Sequence, residues 1–238
     1  MNGFSMKVVI LCGGKGERLM PLTKDVPKPL VPVNGKPILQ HIIDLYEKKG
    51  LHEFTLCIGA HGNKIKEYFK DKPQHQVVFS ESGEDASMLK RIYDARTNAG
   101  GCVMVSYADT ITDIDVGDLI KFHKDKGSMA TIMVAKIKSP FGLVTCDNND
   151  KCTSFEEKPT FHYYIGHILL ESQAFNHMTP ELLEMEDGAG LVAFFKKLTS
   201  LGLIHVYEHK GLQTTFNTST ERDRSEEELV RFHTFKEE

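Results

Sequence analysis

Three glycines and two cations near the amino terminus have the types and the spacing to hold a phosphorylated ligand. Gly13, Gly14 and Gly16 follow a short apolar run, and Arg18 and Lys28 come soon after them. Glycine lets backbone N–H groups approach an anion closely, because it has no side chain and tolerates positive φ. A guanidinium grips two phosphate oxygens at once, whereas an ammonium acts as a movable point charge. These residues predict a cradle for a triphosphate at the head of an α/β domain.

This segment differs from the two commoner phosphate-binding loops. A Walker A loop ends in Gly-Lys-Ser or Gly-Lys-Thr, which is absent here. A dinucleotide fingerprint needs a third glycine that opens a helix, but Leu19 occupies that position and residues 20–27 contain two prolines. The sequence therefore predicts a long loop, and it argues against a dinucleotide-dependent oxidoreductase. An ordinary glycine turn with surface charges is the alternative reading, which the two cations and the flanking prolines disfavour.

Two later segments carry charged residues that could complete such a site. Asp109 follows the predicted strand 102–107, at the edge where a carboxylate faces the crevice of an α/β sheet. Proteins hold Mg²⁺ with one or two carboxylates and substrate phosphates. On position alone, however, a turn or capping aspartate is the simpler reading, because Asp113 and Asp115 are equally acidic. On position alone, Lys158, which precedes a proline, is likewise interpreted as part of a solvent-exposed run of charged residues.

Strands and helices must position these residues, and the hydrophobic periodicity changes along the chain. In the first 125 residues the predicted strands are 6–12, 54–58, 76–80 and 102–107, and the predicted helices are 37–50, 64–70, 86–95 and 116–126. Alternation of this kind indicates a mostly parallel sheet covered on both faces. Further on, the predicted strands are 130–134, 142–146, 152–155, 163–170 and 204–207, and the predicted helices are 188–201 and 219–235. We expect one α/β domain over residues 1–238, with a nucleotide-binding half (about 1–125) and an acceptor-binding half (about 126–238).

Composition restricts the classes of protein. The 238 residues include 40% hydrophobic and 26% charged residues, which is typical of a globular chain. A net charge of −4 argues against general nucleic-acid binding, and no apolar run approaches the length of a transmembrane helix. The first residues lack the apolar region of a signal peptide, and the five cysteines form no metal or redox spacing. We expect a cytoplasmic protein with reduced thiols, in which Cys12, Cys57 and Cys102 are small core residues.

The loop residues support a family resemblance. Residues 12–23, followed by Pro27-Lys28-Pro29-Leu30 and residues 33–43, resemble the signature of the sugar-1-phosphate nucleotidyltransferases. The resemblance implies a Rossmann-like, mostly parallel mixed sheet with helices on both faces, of the nucleotide-diphospho-sugar transferase type. It also implies attack by a sugar phosphate on the α-phosphorus of a nucleoside triphosphate, with release of pyrophosphate and Mg²⁺ as cofactor.

The same resemblance suggests roles for individual residues. Arg18 would contact the pyrophosphate portion, Lys28 the reacting phosphates, and Asp109 the metal. The implied nucleotide contacts are Leu11, Gly13, Gly14, Gly16, Arg18, Lys28 and Ser87. In Glu156-Glu157-Lys158-Pro159, Lys158 would meet the phosphate of the acceptor and Glu157 a sugar hydroxyl, with Gly166 nearby. Because loops lie on the protein surface, we expect Lys28 to be in an exposed loop.

The chain departs from the family pattern at three places. Asn217 stands where a second metal aspartate is expected, so that it offers a carbonyl oxygen without negative charge. Tyr164 stands where a sugar-binding asparagine is expected, and a phenol cannot reproduce the paired donor and acceptor of an amide. The segment 82–91 ends in Leu-Lys-Arg, as in the glucose-1-phosphate cytidylyltransferases, but lacks the threonine and glycines that precede it there.

Two functions are compatible with these features. The first is a Mg²⁺-dependent nucleotidyltransferase, with CTP favoured and UTP, dTTP and GTP open, and with an unnamed phosphorylated acceptor. The second is a nucleotide-binding regulatory or assembly subunit that has lost turnover, suggested by Asn217, Tyr164 and the altered base segment. The sequence leaves the oligomeric state open, although the last helix and residues 161–164 are candidate contacts in a homo-oligomer.

Overall fold

A computed structural model describes residues 6–98 and 101–234 of the chain. Residues 1–5, which precede the first predicted strand, and Phe235, the end of the last predicted helix, lie outside the described residues. The strands are β1 (Lys7–Leu11), β2 (Pro32–Val33), β3 (Lys36–Pro37), β4 (Glu53–Ile58), β5 (Gln76–Glu81), β6 (Val103–Tyr107), β7 (Thr110–Thr112), β8 (Ala130–Lys138), β9 (Leu143–Cys146), β10 (Cys152–Glu156), β11 (Thr160–Leu170), β12 (Ile204–Glu208) and β13 (Gln213–Thr215).

Seven α-helices are found within the described residues: α1 (Ile38–Lys48), α2 (Gly62–Lys70), α3 (Met88–Ala95), α4 (Val116–Asp125), α5 (Pro180–Leu183), α6 (Ala189–Ser200) and α7 (Ser219–Thr234). Short 3₁₀ turns at Glu17–Leu19, Lys28–Leu30, Arg96–Asn98 and Ser172–His177 supplement them. Each strand and helix predicted from hydrophobic periodicity is present, with boundaries shifted by a few residues. The short β2, β3, β7 and β13 strands and α5 were not predicted, because two to four residues carry too little periodicity to identify.

A mixed sheet of seven strands, in the order β12-β8-β11-β6-β1-β4-β5, forms the centre of the molecule. Its neighbours pair in parallel except β11, which runs antiparallel to both β6 and β8. Because β1, β4, β5 and β6 run in one direction, their carboxyl ends meet at one edge of the sheet. That edge is where an open α/β sheet forms its ligand crevice. The expectation of a mostly parallel mixed sheet with helices on both faces is confirmed.

Hydrophobic packing covers both faces of this sheet, and alternate residues of β1 point to opposite sides. Val8 and Ile10 belong to one apolar cluster, to which α1, α2, α4 and α7 contribute, whereas Val9 belongs to a second cluster with α3 and α6. Since strand side chains alternate between faces, burial of both sets requires a layer of helices on each side. Cys12 and Cys57 are buried among these residues, as predicted, and burial raises the pKa of Cys57 to about 12.

Two smaller ladders extend from this frame. β9 and β10 form an antiparallel hairpin whose strand residues are all exposed, so that it extends away from the core. β7 pairs with β13 in antiparallel fashion, which joins the segment after β6 to the segment before α7. None of the helices in the described part of the chain is long and apolar enough to cross a membrane.

Candidate active site

A cleft of about 700 Å³ opens at the carboxyl ends of β1 and β6. The predicted nucleotide residues that line it are Leu11, Gly13, Gly14, Gly16, Arg18 and Lys28, and both predicted metal residues, Asp109 and Asn217, line it as well. Residues to which the sequence analysis assigned no individual role also contribute: Lys15, Glu17, Glu84, Asp85, Arg91, Tyr107 and Asp187. The structure thus brings together residues that are as far apart in sequence as 11 and 217.

The glycine-rich loop connects β1 to a single 3₁₀ turn, as the two prolines after it require. Gly16 has φ of +69°, and the turn Glu17–Leu19 begins directly after it. The Thr23 hydroxyl donates to the Gly16 carbonyl at 2.7 Å, while Leu19 is buried in the core. These two contacts anchor the loop to the rest of the protein, and Leu19 also borders the cleft. Arg18 lies on the exposed side, where its guanidinium is accessible to a ligand.

Arg91 shapes the floor of the cleft as a buried cation. Its guanidinium donates to the carbonyls of Ile58, Gly83 and Glu84 at 2.7, 2.9 and 3.0 Å, and more weakly to Gly13 at 3.4 Å. Burying a charge is costly unless its donors are satisfied, and here the backbone of three segments supplies the acceptors. Arg91 therefore holds the glycine loop, the end of β4 and the segment after β5 in one arrangement.

The Lys28 ammonium lies at the meeting point of three segments. Its Nζ is 2.7 Å from Oδ2 of Asp109 and 3.1 Å from Oδ1 of Asn217. It also lies 5.7 Å from the centre of the Phe216 ring. The Lys28 side chain is 14% exposed and that of Asp109 23%, so the expectation that Lys28 lies in an exposed loop is wrong. The 3₁₀ turn at Lys28–Leu30 directs the side chain into the protein.

Pairing of two short strands explains why Asp109 and Asn217 are neighbours. β7 and β13 are aligned so that Thr110 faces Thr215, and the hydroxyls of these two threonines are 2.8 Å apart. Asp109 directly precedes β7 and Asn217 lies two residues beyond β13, so the antiparallel ladder places both at the same end. Asn217 is further fixed by its backbone N–H, which donates to Glu221 at 2.6 Å.

An exposed ion pair bridges the two sides of the cleft. Nζ of Lys15, in the glycine loop, lies 2.8 Å from Oδ1 of Asp85, in the segment before α3. The hydrogen bond with Lys15 lowers the pKa of Asp85, and the same contact raises the pKa of Lys15. Both side chains are solvated, so a ligand can separate them at little cost.

The amino end of α3 forms the opposite wall, with a contribution from the second half of the chain. Ser87 is the N-cap of α3, where its Oγ accepts from the Lys90 N–H at 3.3 Å. Asp187 accepts from the Met88 N–H at 2.8 Å and lines the cleft. No local sequence signal marks Asp187, because it is distant in sequence from Met88 and reaches the end of α3 only through tertiary packing.

Four predicted residues lie outside the cleft lining, as far as residues 6–98 and 101–234 define it. Ser87 is buried as a helix cap, and Glu157 and Lys158 form an exposed pair at 3.6 Å between β10 and β11. Gly166 lies in β11 with φ of +79°, where an added Cβ would come within 2.9 Å of the Tyr107 ring. The predicted acceptor contacts of Glu157, Lys158 and Gly166, and the nucleotide contact of Ser87, therefore stay predictions.

Tyr164 packs against Tyr107, a residue that lines the cleft. Its ring packs edge-on against Tyr107 and Phe195, with centroids 5.7 and 5.6 Å away. Burial raises the pKa of both phenols, that of Tyr107 to about 12. Tyr107 lines the cleft and Tyr164 does not, within the part of the chain described. The tyrosine at the position of the family's asparagine thus acts in this structure as packing for its neighbour.

The oxygen atoms around Lys28 have the chemistry of a magnesium site. A carboxylate oxygen of Asp109 and an amide oxygen of Asn217 converge on the same cation, Nζ of Lys28. Mg²⁺ prefers oxygen ligands and is commonly held by one or two carboxylates together with phosphates and water. A pair of hard oxygen donors that already shares one cation fits such an ion, provided that the ammonium moves to a phosphate.

Comparison with known proteins identifies similar chains. The family model for nucleotidyl transferases matches residues 7–186. A protein named probable glucose-1-phosphate cytidylyltransferase, from Bacillus subtilis, is 33% identical over 90% of this chain and 92% of its own length. A UTP–glucose-1-phosphate uridylyltransferase from Synechocystis is 28% identical over 83% of this chain and 56% of its own length. The crystal structure of HddC from Yersinia pseudotuberculosis shares the fold, with a TM-score of 0.74 at 23% identity, and covers 94% of this chain and 99% of its own.

The close approach of Arg91 to the glycine loop makes two adjacent glycines respond differently to the same substitution. A Cβ added at Gly13 would lie 2.3 Å from the Arg91 guanidinium carbon, whereas no described heavy atom lies within 4 Å of a Cβ at Gly14. We expect Gly13→Ala to lower the free energy of unfolding by about 1–3 kcal/mol, because displacing Arg91 strains a packed region. Gly14→Ala is the matched control and should unfold within about 0.5 kcal/mol of the wild type.

Urea denaturation of the two variants and the wild type measures this difference. If both glycine variants unfold at the same denaturant concentration as the wild type, Arg91 is free to move and does not hold the loop.

Proposed function

The chain belongs to the nucleotidyl transferase family, and from that premise we propose that it joins a nucleoside triphosphate, CTP by preference, to a sugar 1-phosphate or a similar phosphorylated acceptor. The observation that carries the proposal is the Lys28 ammonium, held beside Asp109 and Asn217 at the rim of the glycine loop. A cation and two oxygen donors beside a glycine-rich loop are the parts that a phosphoryl-transfer site needs.

The reaction requires no nucleophile from the protein. A phosphate oxygen of the acceptor forms a bond to the α-phosphorus, and the bond between that phosphorus and the bridging oxygen breaks. Pyrophosphate leaves with the electron pair of the broken bond. Catalysis then depends on alignment of the two substrates and on offsetting the negative charge that gathers around the phosphorus.

The cations of the cleft supply positive charge at different points along the phosphates. Lys28 forms an ion pair with Asp109, and in the proposed complex its ammonium moves from the carboxylate to the reacting phosphates. Arg18 and Lys15 lie on the glycine loop, where they would hold the pyrophosphate portion. When Mg²⁺ is bound, Asp109 and Asn217 would hold it, and the ion supplies further positive charge beside the phosphates.

The acidic wall before α3 supports a preference for CTP. Glu84 and Asp85 line the cleft in the segment that Arg91 fixes. Cytosine presents an amino donor on its exocyclic position, which a carboxylate accepts, whereas uracil and thymine present a carbonyl oxygen there. Asp85 is paired with Lys15, so Glu84 is the better candidate for this contact.

A nucleotide-binding subunit without turnover is the second candidate, and the neutral Asn217 favours it. Among the residues that the structure describes, only Asp109 contributes a carboxylate to the group around Lys28, so an ion there is held with one negative charge fewer than in a pair of aspartates. Measuring pyrophosphate release separates the two functions, because both predict nucleotide binding and only the first predicts product.

Replacement of Lys28 tests the proposed enzyme. We expect pyrophosphate release from CTP, Mg²⁺ and one of a panel of sugar 1-phosphates, and we expect Lys28→Ala to lower kcat by at least about 100-fold, because a charge beside the transition state is lost. The unfolding free energy should fall by only about 1–3 kcal/mol, the cost of leaving Asp109 without its partner. Lys24→Ala, an exposed lysine in the same loop, is the control and should retain full activity.

Retained turnover in Lys28→Ala would contradict its assigned role. Absence of pyrophosphate from every pairing of nucleotide and acceptor, with tight CTP binding, would establish the second candidate.

Replacement of Asn217 tests the metal site. Asn217→Asp adds a carboxylate at the same place, so the Mg²⁺ concentration for half-maximal turnover should fall about tenfold or more through Coulomb attraction. Asn149 lies in an exposed turn and does not line the cleft. Asn149→Asp therefore adds the same charge outside the cleft and should leave the Mg²⁺ dependence unchanged. An unchanged Mg²⁺ dependence in Asn217→Asp would show that this side chain is not beside the ion.

Replacement of Glu84 tests the choice of base. Glu84→Gln should reduce the ratio of CTP to UTP affinity about tenfold, because a single well-placed pair discriminates bases by about 1–3 kcal/mol. Glu17→Gln removes a charge from the turn after the glycine loop, which also lines the cleft, and should change both affinities alike. Isothermal titration calorimetry with each nucleotide measures the ratio, and equal ratios in the two variants would show that Glu84 does not contact the base.

A further inference from the structure

Three side chains of different ligand types converge at the edge of the sheet opposite to the cleft. Cys102 directly precedes β6, whereas the cleft lies beyond the other end of that strand. Glu171 directly follows β11, which pairs with β6 in antiparallel fashion so that Leu170 faces Val103. His123 lies in the last turn of α4 and points at both. A thiol, an imidazole and a carboxyl group thus meet where two strands and a helix end.

The distances between the ligand atoms of these side chains are close to those around a bound metal ion. Nε2 of His123 lies 3.9 Å from Sγ of Cys102 and 3.2 Å from Oε1 of Glu171, and all three ligand atoms lie within 4.8 Å of one another. Tetrahedral Zn²⁺, with bonds of about 2.0–2.3 Å, separates its ligand atoms by about 3.3–3.6 Å. Because the widest separation is at most 4.8 Å, side-chain shifts of about 1 Å would bring these atoms into coordination.

The other nitrogen of His123 is held in the way that metal-binding histidines are held. Nδ1 lies 2.7 Å from Oγ1 of Thr131, which is fully buried in β8. This contact fixes the ring orientation and leaves Nε2 directed at Cys102 and Glu171, as an outer partner does in zinc sites. Burial lowers the pKa of His123, although Glu171 opposes this shift, and Lys124 and His205 are the other charged or titratable groups nearby.

The site combines a buried imidazole with two ligands that solvent can reach. His123 is buried, whereas Cys102 is only partly buried and the Glu171 side chain is 35% exposed. An ion can therefore enter from the Glu171 side, and water can fill a fourth position there. Thiolate and imidazole ligands favour Zn²⁺ and disfavour Mg²⁺, which separates this site chemically from the oxygen donors of the cleft.

A second group of potential ligands, Asp44, Glu47 and His75, is weaker as a candidate. Asp44 already bonds to Lys36 at 2.7 Å and to Gln40 at 2.6 Å, and the group contains no sulfur. Its side chains therefore have partners that an ion would need to displace.

We propose that Cys102, His123 and Glu171 bind one Zn²⁺ ion, with water as the fourth ligand, at a site distinct from the nucleotide cleft. On binding, the Cys102 thiol releases its proton to solvent and the sulfur forms a bond to the ion, so that one proton leaves for each ion bound. The bound ion fastens the end of α4 to β6 and β11. It takes no part in nucleotide transfer.

Zinc titration of the reduced, chelator-treated full chain tests the proposal. We expect one equivalent of Zn²⁺ to bind, and we expect Cys102→Ser to weaken its affinity by at least about 100-fold. Cys152→Ser removes an exposed thiol elsewhere and should bind Zn²⁺ as the wild type does. Co²⁺ in place of Zn²⁺ should give a near-ultraviolet thiolate charge-transfer band in the wild type and in Cys152→Ser, but not in Cys102→Ser.

Two further variants keep the test decisive if Cys102→Ser folds poorly. Glu171→Gln should weaken Zn²⁺ binding, and Thr131→Val should weaken it by about 10–100-fold through loss of the outer partner of His123. Binding of CTP with Mg²⁺ should be unchanged in both. The proposal is overturned if no Zn²⁺ binds, if these variants bind it as the wild type does, or if His75→Gln or Asp109→Asn removes the binding instead.

Discussion

The contact between the Lys28 ammonium and the oxygens of Asp109 and Asn217 is the interaction around which the cleft is organised. It joins a 3₁₀ turn near the amino terminus, the segment after β6 and the segment before α7. In the absence of a ligand the ammonium offsets the negative charge of a partly buried carboxylate. A polyphosphate offers it more negative charge, and the carboxylate then becomes available to a divalent ion. One lysine can therefore serve the stability of the free protein and the charge balance of the complex.

A second cation, Arg91, determines the shape of the loop that would receive the phosphates. Its guanidinium uses backbone carbonyls as acceptors, so it fixes the path of the main chain and not the position of another side chain. This explains why a glycine is needed at position 13, where any side chain would meet the guanidinium. The loop is closely packed on its buried side and open on the side of Arg18. Such an arrangement prepares backbone N–H groups for an anion without further ordering.

Sequence alone gave the order of strands and helices and the residues of the glycine loop, because both depend on local patterns. Hydrophobic periodicity identified β1, β4, β5 and β6, whose carboxyl ends define the cleft. It did not identify β7 and β13, which contain three residues each and which bring Asn217 to Asp109. The burial of Lys28, the role of Arg91 and the contribution of Asp187 were not predictable either, since each results from contacts between distant segments. Cys102 was expected to be a small core residue, and its neighbours His123 and Glu171 became apparent only from the pairing of β6 with β11.

The two ends of the central sheet thus carry different chemistry, with oxygen ligands and cations at one edge and a thiol, an imidazole and a carboxyl group at the other. At the first edge, we propose that Lys28 exchanges Asp109 for a triphosphate while Asp109 and Asn217 take up the ion. A crystal structure of the chain with CTP and Mg²⁺ tests it most directly. We expect the triphosphate on the glycine loop, Lys28 Nζ moved from Asp109 to a phosphate oxygen, and the ion held by Asp109 and Asn217. A nucleotide bound elsewhere, or one bound in the cleft with the contact between Lys28 and Asp109 intact, would contradict it.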